Sequence, residues 1–587
     1  MKAYTTFLRL VLLGCLGTAG ISQVLSQGTL SADWKFKTGD NLDWLLPRFD
    51  DSDWESISGE SVWEGQGYPE YDGFAWYRQA VFIPAEWEEQ ATLEGGLVLD
   101  LGAIDDADET YWNGELIGTT GAFPPEYVGA YEQKRSYTIP ADLVKFGKRN
   151  VIAVRAYDHV GGGGLYGTDK NLRIKGMADA LEMTFLESPA DHIYLDNAPV
   201  ELTLNLKNDY RQNLAGNVSW FIKTDFGVRL NQGSQEIRVR KGKTSSMIIP
   251  LGRLSPGFYH LEARYQTEFG RKTVRYSLGV QPEFVKSPLD RPDDFEAYWT
   301  RAKRELASVA PQFEMIRNEE LSTEDRDIFT VEMRSLGNVL IRGFYRRPTA
   351  EGPHPAILHV QGYSSSQDAM TGYQENDMAV FVLNIRGHGN SQDHVNPGFP
   401  GYLLHHVDDK ELYIYRGAYM DCLRALDFLY QQPEVDTTRV AVQGGSQGGA
   451  LSFATAALAP ERIHACMPGV PFLSDWKDYF QTATWPANEF TAYVEEHPEV
   501  GWEGVYETLS YIDIKNLAPM VEAPVFMSIG LLDDVCPPHI NFAAYNQLNV
   551  EKRYTVYPYA GHGLPGEEVN NLIYGWLRDL FRLTRTR

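Results

Sequence analysis

A chain of 587 residues is too long for one hydrophobic core, so several domains are expected. Its composition is ordinarily globular, 43% hydrophobic and 22% charged, and its 53 glycines and 31 prolines favour many turns over a long helical array. A net charge of −26 argues against nucleic acid and anionic lipid as partners and makes neutral substrates the better expectation.

The first 26 residues read as an export leader. Lys2 and Arg9 precede an apolar stretch that starts at Leu10, and Val24 and Ser26 suit cleavage before Gln27. The stretch is short and interrupted by Gly14, Gly17 and Gly20, which disfavours a membrane anchor. Leu12-Leu13-Gly14-Cys15 is a poor lipobox, so lipidation at Cys15 is the lesser alternative to a free exported protein. Cys422, Cys466 and Cys536 follow neither a disulfide framework nor metal spacing and read as buried apolar fill. No metal or organic cofactor is expected.

Residues 27–180 alternate short strands with turns. Strands are predicted at Trp76 to Ile83, Leu97 to Leu101 and Asn150 to Ala156, with a hairpin at Asn113-Gly114, where a two-residue turn needs positive φ. The Trp76-Tyr77-Arg78 strand, Gly102 to Asp106 leading to Tyr111-Trp112-Asn113-Gly114, and the Asn150 to Arg155 strand resemble the galactose-binding-like jelly roll. That resemblance implies a β-domain that either contacts glycan or packs as structure. Gly161 to Gly164 reads as a solvated loop. Residues 181–281 supply about seven more alternating runs, among them Val200, Leu202, Leu204 and Leu206, and suggest an Ig-like sandwich with no chemistry of its own.

From residue 282 the texture changes. Asp294 to Trp299 opens a helix, and thereafter apolar strands alternate with amphipathic segments, as in a mostly parallel sheet covered by helices. The fold class is therefore multidomain, an all-β jelly roll and a β-sandwich followed by an α/β-hydrolase over 282–587.

The chemistry lies in this last part. Gly444-Gly445-Ser446-Gln447-Gly448-Gly449 is a G-x-S-x-G turn, with a strand predicted up to Gln443 and an Ala-rich helix from Ala450 to Leu458. That context is what a nucleophile elbow requires, and the flanking glycines let strand and helix approach. A serine hydroxyl needs a base, and the base needs an orienting acid, in the chain order Ser, acid, His. Asp533 or Asp534, after the strand Val525 to Ile529, can supply the acid. His562, after Tyr554 to Tyr557, supplies the base. The backbone N–H of Gln447 and that of Tyr363, in the loop after an early strand, are the expected oxyanion donors.

Several separated motifs then resemble the acetyl xylan esterase/cephalosporin C deacetylase group, carbohydrate esterase family seven, over about 282–580. They are Asp294-Phe295 through Trp299, Gly362-Tyr363, Arg386-Gly387-His388-Gly389, Asp409-Lys410 with Tyr415-Arg416-Gly417 and Tyr419 with Asp421, Gly444 to Gly449, Gly530 to Asp533 with Cys536-Pro537-Pro538, and Tyr545-Asn546. The resemblance implies Asp533 rather than Asp534 as acid, Tyr363 N–H in the oxyanion hole, an acetylated saccharide as substrate, and a homo-oligomer. Two positions depart from the family pattern: His388 where Gln is usual, and Gly563 where Glu usually follows the base. Neither removes a triad member. Two other functions compete: a prolyl-oligopeptidase-type peptidase, and a carbohydrate-binding protein whose hydrolase unit is vestigial. A glycosidase lacks its usual barrel here.

Overall fold

The structure, a computed structural model, describes residues 27–583 apart from 70, 132, 160, 169 and 370–376. The leader and Cys15 lie outside the described residues. Among those described, no helix is long and apolar enough to cross a membrane.

The chain builds successive cores. In the first, an antiparallel six-stranded sheet centred on Gly73–Ile83 and Lys148–Asp158 faces a five-stranded sheet centred on Leu97–Asp105. Trp34, Trp63, Tyr77, Leu99 and Trp112 fill the space between them. Asn113 and Gly114 turn the hairpin at positive φ, 52° and 93°. The glycine run is a solvated loop only in its first half: Gly161 is exposed, but Gly163 and Gly164 are buried. A Cβ on Gly163 would stand 2.1 Å from the Trp63 ring and one on Gly164 2.0 Å from the Tyr77 hydroxyl, so these glycines are places where the core comes up against bare backbone. The second core lies between a three-stranded and a five-stranded sheet over Leu181–Val280, with Leu202, Leu204, Leu206, Ile222 and Leu261 inside it.

The third and largest core surrounds a nine-stranded sheet. In spatial order its strands are Glu314–Arg317, Arg326–Arg334, Leu340–Pro348, Ala379–Asn384, His354–Val360, Val435–Gly445, Ala465–Gly469, Val525–Gly530 and Lys552–Tyr557. Pairing is antiparallel as far as Ala379–Asn384 and parallel from there on. The central strands are rich in apolar residues because helices cover both faces; Ala379–Asn384 and Val525–Gly530 are buried at every position. Loops at the carboxyl ends of parallel strands are where an open α/β sheet offers a crevice, and the candidate residues lie on those loops.

The second β-unit packs directly on the third. Ile193 and Phe258 belong to the core around the nine-stranded sheet, and Phe258 meets Phe542 at 5.6 Å between ring centroids.

Candidate active site

Strand Val435–Gly445 runs straight into Ser446, and helix Gln447–Leu458 leaves it. Ser446 itself sits at φ 58°, ψ −121°, a region that L-residues avoid and that costs of order 1–3 kcal/mol. Packing holds it there. A Cβ on Gly444 would lie 2.5 Å from Val360 O, and one on Gly448 2.4 Å from the same oxygen, so only glycine admits the neighbouring strand on both sides of the serine. Ser446 N–H donates to Gly469 O at 2.9 Å, and its carbonyl accepts from Ala450 and Phe472. The strained backbone lifts the hydroxyl to the rim, where the residue is half-buried.

Asp533 and His562 meet across two adjacent strand ends. Gly530 closes strand Val525–Gly530, and a Cβ there would come within 2.3 Å of Gly561 O and 2.5 Å of Ala560 O. Its missing side chain lets the loop bearing His562 lie against the loop bearing Asp533, fastened by Leu532 N–H to Ala560 O at 2.9 Å. His562 Nδ1 then stands 2.9 and 3.1 Å from the two Asp533 oxygens. Asp533 is buried and also accepts from the N–H groups of Val535 and Cys536, at 2.9 and 2.8 Å. Asp534 points to solvent. Of the two carboxylates left open by their positions in the chain, Asp533 is thus the one joined to His562.

Ser446 Oγ lies 3.9 Å from Cys536 Sγ, and Cys536 is tied through its N–H to Asp533, so Ser446, Asp533 and His562 lie at one rim. Among the described residues no hydrogen bond joins Ser446 Oγ to His562, and His562 Nε2 has no protein partner. Such bonds are commonly long without substrate and tighten when it binds. Cys536, grouped from its sequence with the inert cysteines, touches the serine hydroxyl. Burial and the nearby Asp533 carboxylate push its thiol well above the usual range, which keeps it a neutral, apolar neighbour.

Tyr363 and Gln447, the residues expected to supply oxyanion donors, follow Gly362 and Ser446 in the chain, and among the described residues their backbone N–H groups have no protein acceptor. The fully buried Gln447 side chain ties the Gly362 loop to the Ser446 turn. Its Oε1 accepts from Tyr415 at 2.6 Å, and its Nε2 faces Gly362 O and His388 Nε2, each at 3.3 Å. Tyr363 is held by its own hydroxyl, which donates to Glu489 at 3.1 Å, and its ring packs against Phe399 and Trp485. The roles of Glu489, Tyr415 and Gly530 escaped the sequence reading. For Gly530 a signal existed, a glycine closing a strand just ahead of an acidic loop.

A strained serine between strand and helix, an Asp–His pair on the following loops and free N–H groups beside it define an α/β-hydrolase. Residues 284–580 match the family model described as acetyl xylan esterase (AXE1), half of the chain, and the chain belongs to that family. It is a carboxylester hydrolase. The acetyl esterase Axe7A of Xylanibacter ruminicola is 28% identical over 339 residues, 55% of this chain and 75% of that one. Solved acetyl xylan esterases from Paenibacillus sp. R4 and a Thermoanaerobacterium species are each 32% identical; 51% of this chain covers 98% and 97% of theirs, with TM-scores of 0.47 and 0.46. A dipeptidyl aminopeptidase of Pseudoxanthomonas mexicana is 30% identical over 166 residues, only 22% of its length.

Proposed function

We propose that this chain removes acetyl groups from acetylated carbohydrate, xylan or oligosaccharide, through an acyl-enzyme formed on Ser446. His562 Nε2 takes the hydroxyl proton as Ser446 Oγ attacks the ester carbonyl. Asp533 holds the imidazole in the Nδ1–H form and stabilises the imidazolium. The N–H groups of Gln447 and Tyr363 hold the oxyanion; each such donor is worth roughly a hundred- to a thousand-fold in rate. Collapse of the tetrahedral intermediate passes the proton from His562 to the leaving sugar oxygen. Water, activated by the same imidazole, then releases acetate.

The observation that carries this assignment is the pairing of buried Asp533 with half-buried His562 on the loops beside the Ser446 turn. The family supports the acetyl ester as the bond attacked. We read the leader as an export signal, the first β-unit as galactose-binding-like, able to contact glycan, and the second as Ig-like. The family resemblance further suggests self-association.

The test is Ser446→Ala. Acetate release from acetylated xylan is expected to fall by roughly 10⁴-fold or more, while the melting curve stays close to that of the parent. Activity within tenfold of the parent would take the nucleophile's role from Ser446.

A further inference from the structure

Parts of all three units converge beside His562. On the outer side of the loop that carries it opens a cleft of about 510 Å³. One wall is 557–560 and 563–566, the residues to either side of His562; the other is 129–131 and 133 of the first β-unit.

Both walls are fixed in place. Arg135, 1% exposed, donates to Ala130 O at 2.6 Å and to Gln133 O, while its Nη2 reaches Asp106 O at 2.9 Å and its Nε the fully buried Asp108 at 2.8 Å. This one guanidinium staples Ala130 and Gln133 to the first β-unit. The Tyr166 hydroxyl donates to Tyr131 O at 2.5 Å. Across the cleft, the Tyr559 hydroxyl donates to Glu187 at 2.5 Å and its ring meets that of His192 edge-on at 5.3 Å, both from the second β-unit. Tyr131 and Tyr559 nevertheless keep 47% and 63% of their surface exposed.

The chemistry of the walls selects the ligand. Among the described residues that line the cleft none is charged; tyrosine rings, proline, small residues and the Gln133 amide make it up. Rings offer flat apolar faces to the C–H side of a pyranose, while backbone groups and one amide offer hydrogen bonds to its hydroxyls. The size lies within the range of small-ligand sites. Its position fits the reaction too. The sugar that leaves takes its proton from His562, so the rest of the saccharide chain must pass the residues flanking that histidine. Leu564 lines both this cleft and the cavity that His562 itself lines.

We infer that this cleft is a neutral-saccharide subsite, holding the sugar units next to the acetylated one, and that the two leading β-units help build it. The subsite rests on the esterase assignment above.

The experiment measures kcat/KM on acetylated xylo-oligosaccharides of increasing length with the full chain. Specificity is expected to rise by roughly tenfold from the monosaccharide to the longer esters, mostly through KM, as added binding away from the reacting atoms does. In Tyr131→Ala the gain from length should shrink to about twofold or less, and Tyr131→Phe, which keeps the ring, should retain it. Gln133→Ala serves in the same way should Tyr131→Ala melt early. A parent enzyme indifferent to length, or a folded Tyr131→Ala that keeps the whole gain, overturns the subsite and leaves the esterase standing. Cleavage of aryl acetates with no acetylated saccharide attacked would instead remove the carbohydrate assignment, and the subsite with it.

Discussion

His562 and His539 both face buried carboxylates, yet their surroundings differ in one decisive respect. His562 presents Nδ1 to Asp533 and keeps Nε2 without a protein partner among the described residues, its side chain 30% exposed. His539, 8% exposed, has both nitrogens occupied: Nε2 is 3.1 Å from Asp478, and Nδ1 forms an ion pair with Asp225 at 3.1 Å that lacks hydrogen-bond alignment. Asp475 stands 4.0 Å away, itself paired with Lys515, which also reaches Asp290. Burial works to lower the pKa of His539, but Asp225 and Asp478 outweigh it and carry the value up to about 9. A general base needs one nitrogen left open and one carboxylate to orient it. An imidazole gripped from both sides is a cationic clasp, and because Asp225 belongs to the second β-unit, this one fastens that unit to helix Pro538–Tyr545.

The largest expected effect tests the open histidine. Asp533→Asn should lower kcat/KM for an acetyl ester by roughly 10³- to 10⁴-fold, because an amide stabilises the wrong tautomer of His562. Asp534→Asn should change it by less than about twofold, as exposed substitutions away from the chemistry do. A loss under tenfold in Asp533→Asn would break the comparison at its catalytic end.

How much of this was legible beforehand depended on the distance over which the signal is written. The elbow around Ser446 is local: strand, glycine, serine, glycine and helix are consecutive, and strand–turn–helix chemistry fixes them. Asp533 and His562 were found because each follows a strand in the expected chain order, although only the family resemblance chose between Asp533 and Asp534. The clasp at His539 was invisible, since nothing near it points to Asp225, more than half the chain away. The same holds for the cleft at Tyr131, for the contact of Cys536 with Ser446, and for Gly163 and Gly164, whose role is set by Trp63 and Tyr77. Contacts made between units follow from how cores pack, which no short window of sequence encodes.

The clasp predicts a smaller effect, on stability rather than rate. The folded pKa of His539, about 9, lies above the ordinary histidine value of about 6.5. Its bound proton therefore stabilises the fold fully below about pH 6.5, and that contribution is lost as pH rises through about 9. His539→Gln should lower the melting temperature by a few degrees at pH 6 and by much less at pH 9.5, followed by calorimetry across that range. Asp225→Asn should reproduce the pattern. An equal drop at every pH would mean that the imidazole fills space and that its charge is immaterial.

His388 sharpens the contrast at the smallest scale, being a third histidine, with no carboxylate partner among the described residues. It stands where the family usually has glutamine, between the aromatic rings of Phe399 and Tyr402. Burial pushes its pKa down to about 4, opposed only by a long 3.5 Å contact of Nδ1 with Arg386 O, so it is neutral at ordinary pH. In that state Nε2 accepts from the Gln447 amide, which reaches Gly362 O and so steadies the Tyr363 N–H. A glutamine at this position offers the same amide a carbonyl oxygen. His388→Gln should accordingly hold kcat/KM within about threefold of the parent, whereas His388→Leu, which leaves the Gln447 amide only the long contacts with the Gln361 and Gly362 carbonyls, should cost roughly tenfold. The acid limb separates the two variants from the parent in another way. A depressed histidine pKa means that the unfolded chain binds the proton more readily, so the parent loses stability as pH falls from about 6.5 towards 4. Melting curves at pH 7 and pH 4.5 should show His388→Gln losing less than the parent on acidification; an identical acid loss would mean that the fold does not depress the pKa of His388, and a smaller loss in the parent would mean that it is protonated in the fold, which ends its acceptor role toward Gln447.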